Sequence, residues 1–443
     1  MNTDTTVASP IYDVVVVGGG AAGLAAIASL QKRQPDLSIA LVEPASQHYY
    51  QPGWTLVGGG VFSQASTVKP MADLIPKNVS WFQHAAAGFS PQQNTLLLAD
   101  NTQLSYRSLV VATGLKLDWQ AIPGLTESLG TQGITSNYQP GMAPYTWQLV
   151  QQLGRGTAIF TQPAMPIKCA GAPQKAMYLS CDHWLRQQQL SNINVEFCSA
   201  GAALFGVADY VPALQQYIAK YQIKLNLQTN LQAVDAASKT ATFKRTLADG
   251  STELQQKQFD MLHVTPPQVA PDVIRQSPLA DNAGWVDVYP DTLQHKTFAN
   301  VFALGDCSNT PNAKTAAAVR KQAPVVAENL LGLLNNQKLR AIYDGYGSCP
   351  LTVERGKIVL AEFVYGGKVE PTFPKWFIDG TRPSRLSWLL KEKMLPPLYW
   401  HAMLKGREWL AAPLYPDNLP TDRHTRSGAD IATGNVDPLV KRE

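Results

Sequence analysis

The chain has 443 residues, too many for a single hydrophobic core, and divides into two or three domains. Its composition, 45% apolar and 16% charged, is that of a folded protein, and its net charge of +4, without a basic arm interleaved with aromatics, excludes a dedicated nucleic-acid binder. Five cysteines exclude a disulfide-stapled secreted scaffold, and none has zinc spacing, so no metal is expected.

The first ten residues carry neither a secretory signal nor an Arg-rich transit segment, and no later run is apolar for long enough to span a bilayer. Four valines at 14–17 predict a buried strand, followed by Gly18-Gly19-Gly20-Ala21-Ala22-Gly23 and an amphipathic helix over 23–32. Gly18 permits the tight turn, Gly20 lets backbone approach a pyrophosphate, and Gly23 lets helix and strand pack closely. The helix N-terminus then offers unpaired N–H groups to phosphate. A second strand at 39–42 ends at Glu43, where a carboxylate can accept from ribose hydroxyls. A loop rich in Gly, Pro, Gln and Tyr is expected at 44–60, and a strand ending in Thr113-Gly114 follows.

A Gly/Pro-rich linker at 124–144 leads to a second α/β segment, with strands at 157–160 and 194–197 and a helix at 175–188. Its first strand runs into Thr161-Gln162-Pro163-Ala164-Met165-Pro166, with prolines where a second phosphate-binding turn needs glycines. Proline removes a donor and fixes φ, so NADH is not expected to bind there. The first pattern returns at 297–306, an apolar strand delivering Asp306 to its end, before a helix from about Lys314.

The glycine turn, the strand ending at Gly114 and the strand ending at Asp306 together resemble the glutathione-reductase-type flavoproteins, over 12–345 at least. In such proteins the aspartate bonds the FAD ribityl chain. The cysteines do not follow the disulfide-reductase pattern, because no CxxxxC follows Glu43. Cys169 instead follows the proline-rich turn, flanked by Lys168 and Lys175, whose charge favours a thiolate; Cys349 lies beyond the second strand–Asp element. Cys181 and Cys198 read as buried hydrophobes, and Cys307 stays undecided between packing and the cofactor site.

The strings PAMPIKCAGAPQKAMYLS, LHVTPP, GDCSNTPNAKTAAAV and YDGYGSCPL resemble the sulfide:quinone oxidoreductase family, in its mitochondrial-like branch, from Tyr12 to about Trp409. The resemblance implies an α/β fold of two Rossmann-like dinucleotide-binding domains, an FAD domain and a degenerate NAD-type domain, with a C-terminal membrane- or quinone-associated region. The expected boundaries are 10–145 and 271–345 for the FAD domain, 146–270 for the second domain and 346–443 for the C-terminal region. It implies FAD held by Gly18, Gly20, Ala21, Ala22, Gly23, Glu43, Gln51, Ala86, Thr113, Gly114, Asp306 and Lys314. It also implies a catalytic pair, with Cys169 nearest the flavin and Cys349 receiving sulfide sulfur as a persulfide. The implied partners are hydrogen sulfide, a ubiquinone-type quinone, a small sulfur acceptor (glutathione, sulfite or sulfide) and further copies of the chain in a homo-oligomer.

Residues 384–411 form two apolar stretches expected to break at Pro396-Pro397, with Trp388, Tyr399, Trp400 and Trp409 among Lys391, Lys393, Lys405 and Arg407. Rings beside cations suit a bilayer headgroup boundary, and packing on the protein's own core is the alternative. The resemblance favours docking, with Phe363, Tyr365, Phe373 and Trp376 lining a quinone passage. Peripheral attachment to a bacterial inner membrane is the expected location. Rival readings on the same scaffold are a flavocytochrome-type sulfide dehydrogenase, an NADH:quinone oxidoreductase and a non-enzymatic flavin redox sensor or sulfur carrier.

Overall fold

The structure is a computed structural model that describes residues 10–415. Residues 1–9 and the tail of the C-terminal region at 416–443 lie outside the described residues. In chain order the first unit holds strands β1 (Ile11–Val17), β2 (Ile39–Val42), β3 (Val79–Phe82), β4 (Ala86–Ser90), β5 (Thr95–Leu98) and β6 (Gln103–Val111), with helices α1 (Ala21–Arg33) and α2 (Trp54–Gly58). The second unit holds β7 (Ile134–Thr135), β8 (Gly156–Gln162), β9 (Ile193–Ser199), β10 (Lys224–Asn226) and β11 (Met261–His263), with α3 (Ala143–Gln152) and α4 (Ala172–Arg186). The chain then returns to the first unit through β12 (Val301–Ala303) and α5 (Ala316–Leu334). The hairpin β13 (Gly347–Glu354) and β14 (Lys357–Phe363) precedes α6 (Arg385–Leu389) and α7 (Leu395–His401).

The first sheet runs β3-β2-β1-β6-β5-β4, with β12 beside β6. β1 lies between β2 and β6 in parallel register, Val14 facing both Ile39 and Ser108. A central parallel strand is covered on both faces, which is why four consecutive valines belong there. Helix α1 buries Leu24, Ile27 and Leu30 in one core with Val326 and Leu330 of α5. Each such side chain contributes about 1.5–3 kcal/mol. Gly23 is required by close approach, since a Cβ there would stand 1.8 Å from the Gly18 carbonyl oxygen.

The second sheet runs β7-β11-β8-β9-β10, all parallel, around a core of Phe160, Trp184 and Phe197. It opens with β7 at Ile134, inside the stretch expected to be a linker. A three-stranded antiparallel sheet spans 229–258. The carboxyl ends of β8 and β11 face the first unit, so the loop after β8 enters the space between the two units.

Two local expectations are corrected. The stretch 44–60 is not simply a loop, because Trp54, Leu56 and Val57 bury as helix α2. Pro396 and Pro397 do not break the C-terminal helix where they stand. They occupy the first turn of α7, where a missing N–H leaves no bond unmade, and a π turn at Leu390–Met394 joins α6 to α7.

Candidate active site

The loop after β8 carries Cys169 in a left-handed conformation (φ 49°), costly for a residue with a Cβ. Its surroundings hold it there. The Cys169 N–H donates to the Lys314 carbonyl (2.9 Å), and its own carbonyl accepts from Ala172 N–H (2.7 Å) and the Tyr138 hydroxyl (3.3 Å). Cys349 comes from β13, opposite Ala361 of β14, on the face of the hairpin that packs against α4. Gly171, at the start of α4, makes that contact possible. A Cβ there would lie 2.7 Å from Cys349 Sγ and 2.3 Å from Leu351 Cδ2.

The two sulfurs, 180 residues apart in sequence, stand 4.0 Å apart as free thiols. Lys175, one helical turn into α4, donates to Cys169 Sγ at 3.0 Å and is only 2% exposed. The Cys349 thiol donating to Cys169, together with this ammonium, outweighs burial and holds the Cys169 thiol well below its ordinary range. The same hydrogen bond and burial push the Cys349 thiol up. The Lys175 ammonium thus favours the thiolate at Cys169 over that at Cys349. Burial alone would lower Lys175, but the charge on the cysteines raises it. A second cation, Lys391 from the C-terminal helices, is 3% exposed and donates to the Pro52 carbonyl (3.1 Å). Burial and the neighbouring Lys175 charge push it down to about 8.

The expected cofactor residues belong to the first unit, which meets the pair where the Lys314 carbonyl accepts from the Cys169 N–H. Glu43 accepts from Gly19 N–H (2.6 Å) and Ala45 N–H (2.7 Å) at the end of β2. Gln51 accepts from Lys168 Nζ at 2.7 Å. Thr113 and Gly114 follow β6, and Ala86 begins β4 at the sheet edge. Lys314 donates to the carbonyls of Asp306 and Ser308, both at 2.8 Å, so it braces the turn carrying Asp306. Burial pushes the Asp306 carboxyl up, and the Lys314 and Lys168 charges pull it back.

This cradle fits FAD. Added Cβ atoms at Gly20 and Gly114 would meet nothing within 4 Å, whereas at Gly18 and Gly23 they would strike backbone. Asp306, Lys168 and Cys169 each keep part of their surface accessible to solvent, and Lys168 does so where it reaches across to Gln51 of the first unit. Asp306 receives no hydrogen bond at its carboxylate from any described residue and is free to bond a polyol.

Among known proteins, residues 12–141 match the family model described as pyridine nucleotide-disulphide oxidoreductase. The chain is 40% identical to the mitochondrial sulfide:quinone oxidoreductase of Mus musculus, covering 89% of this chain and 87% of that one. It is 41% identical to the mitochondrial enzyme of Dictyostelium discoideum, covering 90% and 87%. The chain belongs to the sulfide:quinone oxidoreductase family. The solved sulfide:quinone oxidoreductase of Aquifex aeolicus has the same fold, with a TM-score of 0.70 at 18% identity, over 87% of this chain and 91% of that one.

Several side chains read as membrane anchors or left undecided have other roles. Tyr399 and Trp400 are buried beside Tyr50 in the first core, and Lys391 is buried beside the cysteines, because α7 folds back onto the first unit. His48 ties that helix in, its ring bonded to the Gly19 carbonyl (3.0 Å) and the Tyr399 hydroxyl (2.7 Å). Cys307 is fully buried, its thiol donating to the carbonyls of Val111 (3.3 Å) and Leu304 (3.4 Å), a packing role. Cys181 and Cys198 are buried in cores of the second unit, as expected.

The four quinone candidates pack on different aromatic partners. Phe363 packs on Phe205, Tyr365 on Tyr343, and Phe373 and Trp376 each on Phe377. Among the described residues no group of His, Cys, Asp and Glu can hold a metal, and no helix is long and apolar enough to cross a membrane.

Proposed function

We propose that this protein oxidises hydrosulfide at the Cys169–Cys349 pair and delivers two electrons through FAD to a ubiquinone-type quinone. The observation that carries this reading is the 4.0 Å approach of the two sulfurs beside the Lys175 ammonium, at the mouth of the FAD cradle. When bound, FAD supplies a two-electron acceptor that can pass its electrons onward.

The unequal thiols set the direction of the relay. In the oxidised pair, hydrosulfide attacks a disulfide sulfur, and the thiol of lower pKa leaves faster. The Lys175 ammonium, 3.0 Å from Cys169 Sγ, makes Cys169 the better leaving group, so attack falls on Cys349 Sγ. The Cys349–Cys169 bond breaks, Cys349 becomes a persulfide, and Cys169 leaves as a thiolate held by Lys175. A small acceptor thiolate, sulfite or a second hydrosulfide then takes the outer sulfur and leaves a Cys349 thiolate. Re-forming the bond between the two thiolates releases two electrons, which bound FAD would accept, and restores the starting pair. Lys175 and Lys391 supply the positive field that draws in the anionic substrate and steadies both thiolates.

Exposed Trp376, Phe377, Leu389, Met394, Trp409 and Leu410 support quinone access from a membrane surface to which the protein attaches peripherally. Flotation with liposomes tests the attachment. The Cys169→Ser and Cys349→Ser variants test the chemistry: each is expected to stay yellow with FAD and to lose sulfide-dependent quinone reduction. Undiminished turnover in either would refute the relay.

A further inference from the structure

The sulfur relay uses Lys175 and Lys391 but leaves a third deep cation unemployed. Lys168 sits next to Cys169 in sequence, yet it is Lys175 and not Lys168 that bonds the sulfur. Its Nζ donates to Gln51 Oε1 at 2.7 Å, across the gap between the two units. It also lies over the rings of Trp54 (5.9 Å) and Tyr138 (5.8 Å). Its backbone is anchored on both sides, the N–H donating to Gln268 Oε1 (2.7 Å) and the carbonyl accepting from the Tyr138 hydroxyl (3.1 Å). The ammonium is therefore held in place.

An ammonium carries three donors, and among the described residues only Gln51 accepts one of them. Lys168 nevertheless keeps accessible surface at depth, as Asp306 and Cys169 do, and its charge acts on Asp306. It stands among Gln51, Asp306 and Cys169, within the cleft that the cofactor reading assigns to FAD. A pinned cation with spare donors and accessible surface between the two units is built for a ligand that is or becomes negative.

Two-electron reduction makes such a ligand, since FAD + H⁺ + 2 e⁻ gives FADH⁻, which carries one more negative charge than it had. We propose that Lys168 is a positioning and charge-stabilising residue for the reduced cofactor, raising the reduction potential of bound FAD so that electrons leave the cysteine pair for it. This rests on the FAD reading and not on the identity of the electron donor or acceptor.

The test is the two-electron midpoint potential of purified holoenzyme, measured by photochemical reduction against a reference dye, with neither sulfide nor quinone present. In Lys168→Met the equilibrium is expected to move at least about tenfold toward the oxidised cofactor, about 30 mV more negative, and Lys168→Arg is expected to restore most of it. If Lys168→Met does not retain FAD, Gln51→Leu, which frees the ammonium, is expected to lower the potential in the same direction. An unchanged potential in the FAD-loaded Met variant, or in Gln51→Leu, overturns the proposal. So does an Arg variant that falls as far as Met. Loss of sulfide oxidation with a wild-type potential would leave the relay in question and refute this role for Lys168.

Discussion

Gly171→Ala probes the geometry of the sulfur pair without touching either cysteine. The backbone at Gly171 (φ −84°) accepts any residue, so the effect is one of space alone. The added methyl would begin 2.7 Å from Cys349 Sγ, where an ordinary contact is about 3.7 Å, so about 1 Å must be found. Leu351 Cδ2, 2.3 Å away, is the end of a flexible side chain and can rotate, but the Cys349 sulfur is one bond from its Cβ and must swing or carry β13 with it. Overpacking of this kind costs about 1–3 kcal/mol, readable as a lower melting temperature. The larger effect is on chemistry. The sulfurs must close from 4.0 Å to a bond, and a displacement of about 1 Å from productive geometry costs about 100-fold. Stopped-flow mixing with sulfide under nitrogen reads that step as loss of flavin absorbance. A Gly171→Ala enzyme that holds FAD and reduces it at the wild-type rate would refute the claimed closeness of helix, hairpin and sulfur.

The remaining predictions concern the same neighbourhood. Lys175→Met removes the ammonium 3.0 Å from Cys169, so the thiolate fraction at neutral pH is expected to fall by at least about tenfold, measured as the pH dependence of alkylation. Lys391 titrates at about 8 in the folded protein against 10.5 when free, so between these values the unfolded chain binds more protons and stability rises with pH. Lys391→Met is expected to abolish that rise, on the order of 3 kcal/mol, in denaturant titrations from pH 8 to 10.5. Tyr399→Phe strips the His48 ring of its 2.7 Å partner in a buried setting, and a loss of about 1–3 kcal/mol is expected by thermal unfolding.

What the sequence made legible is what local rules govern. The turn Gly18–Gly23, the strand ending at Asp306 and the proline-blocked second turn each depend on a few neighbouring residues, and they emerged in the expected elements. The convergence of Cys169 and Cys349 was foreseen only through family resemblance, since no local pattern joins residues 180 apart. Lys391 was misread because its neighbours Trp388, Tyr399 and Trp400 look like a bilayer boundary; what buries Tyr399 and Trp400 is the fold of α7 onto the first unit, a long-range contact. His48 carried no signal, because its partner Tyr399 lies 351 positions away. Gly171 did carry one: a glycine between the cysteine and its helix, where glycine is needed for closeness and not for a turn.

The central claim is that the thiol pair, and not a nicotinamide, feeds electrons to the bound cofactor. Anaerobic titration of the FAD-loaded protein, with sulfide in one cell and NADH in another, tests it most directly. The account predicts that sulfide bleaches the visible flavin band while NADH leaves it unchanged. Bleaching by NADH with indifference to sulfide would contradict it.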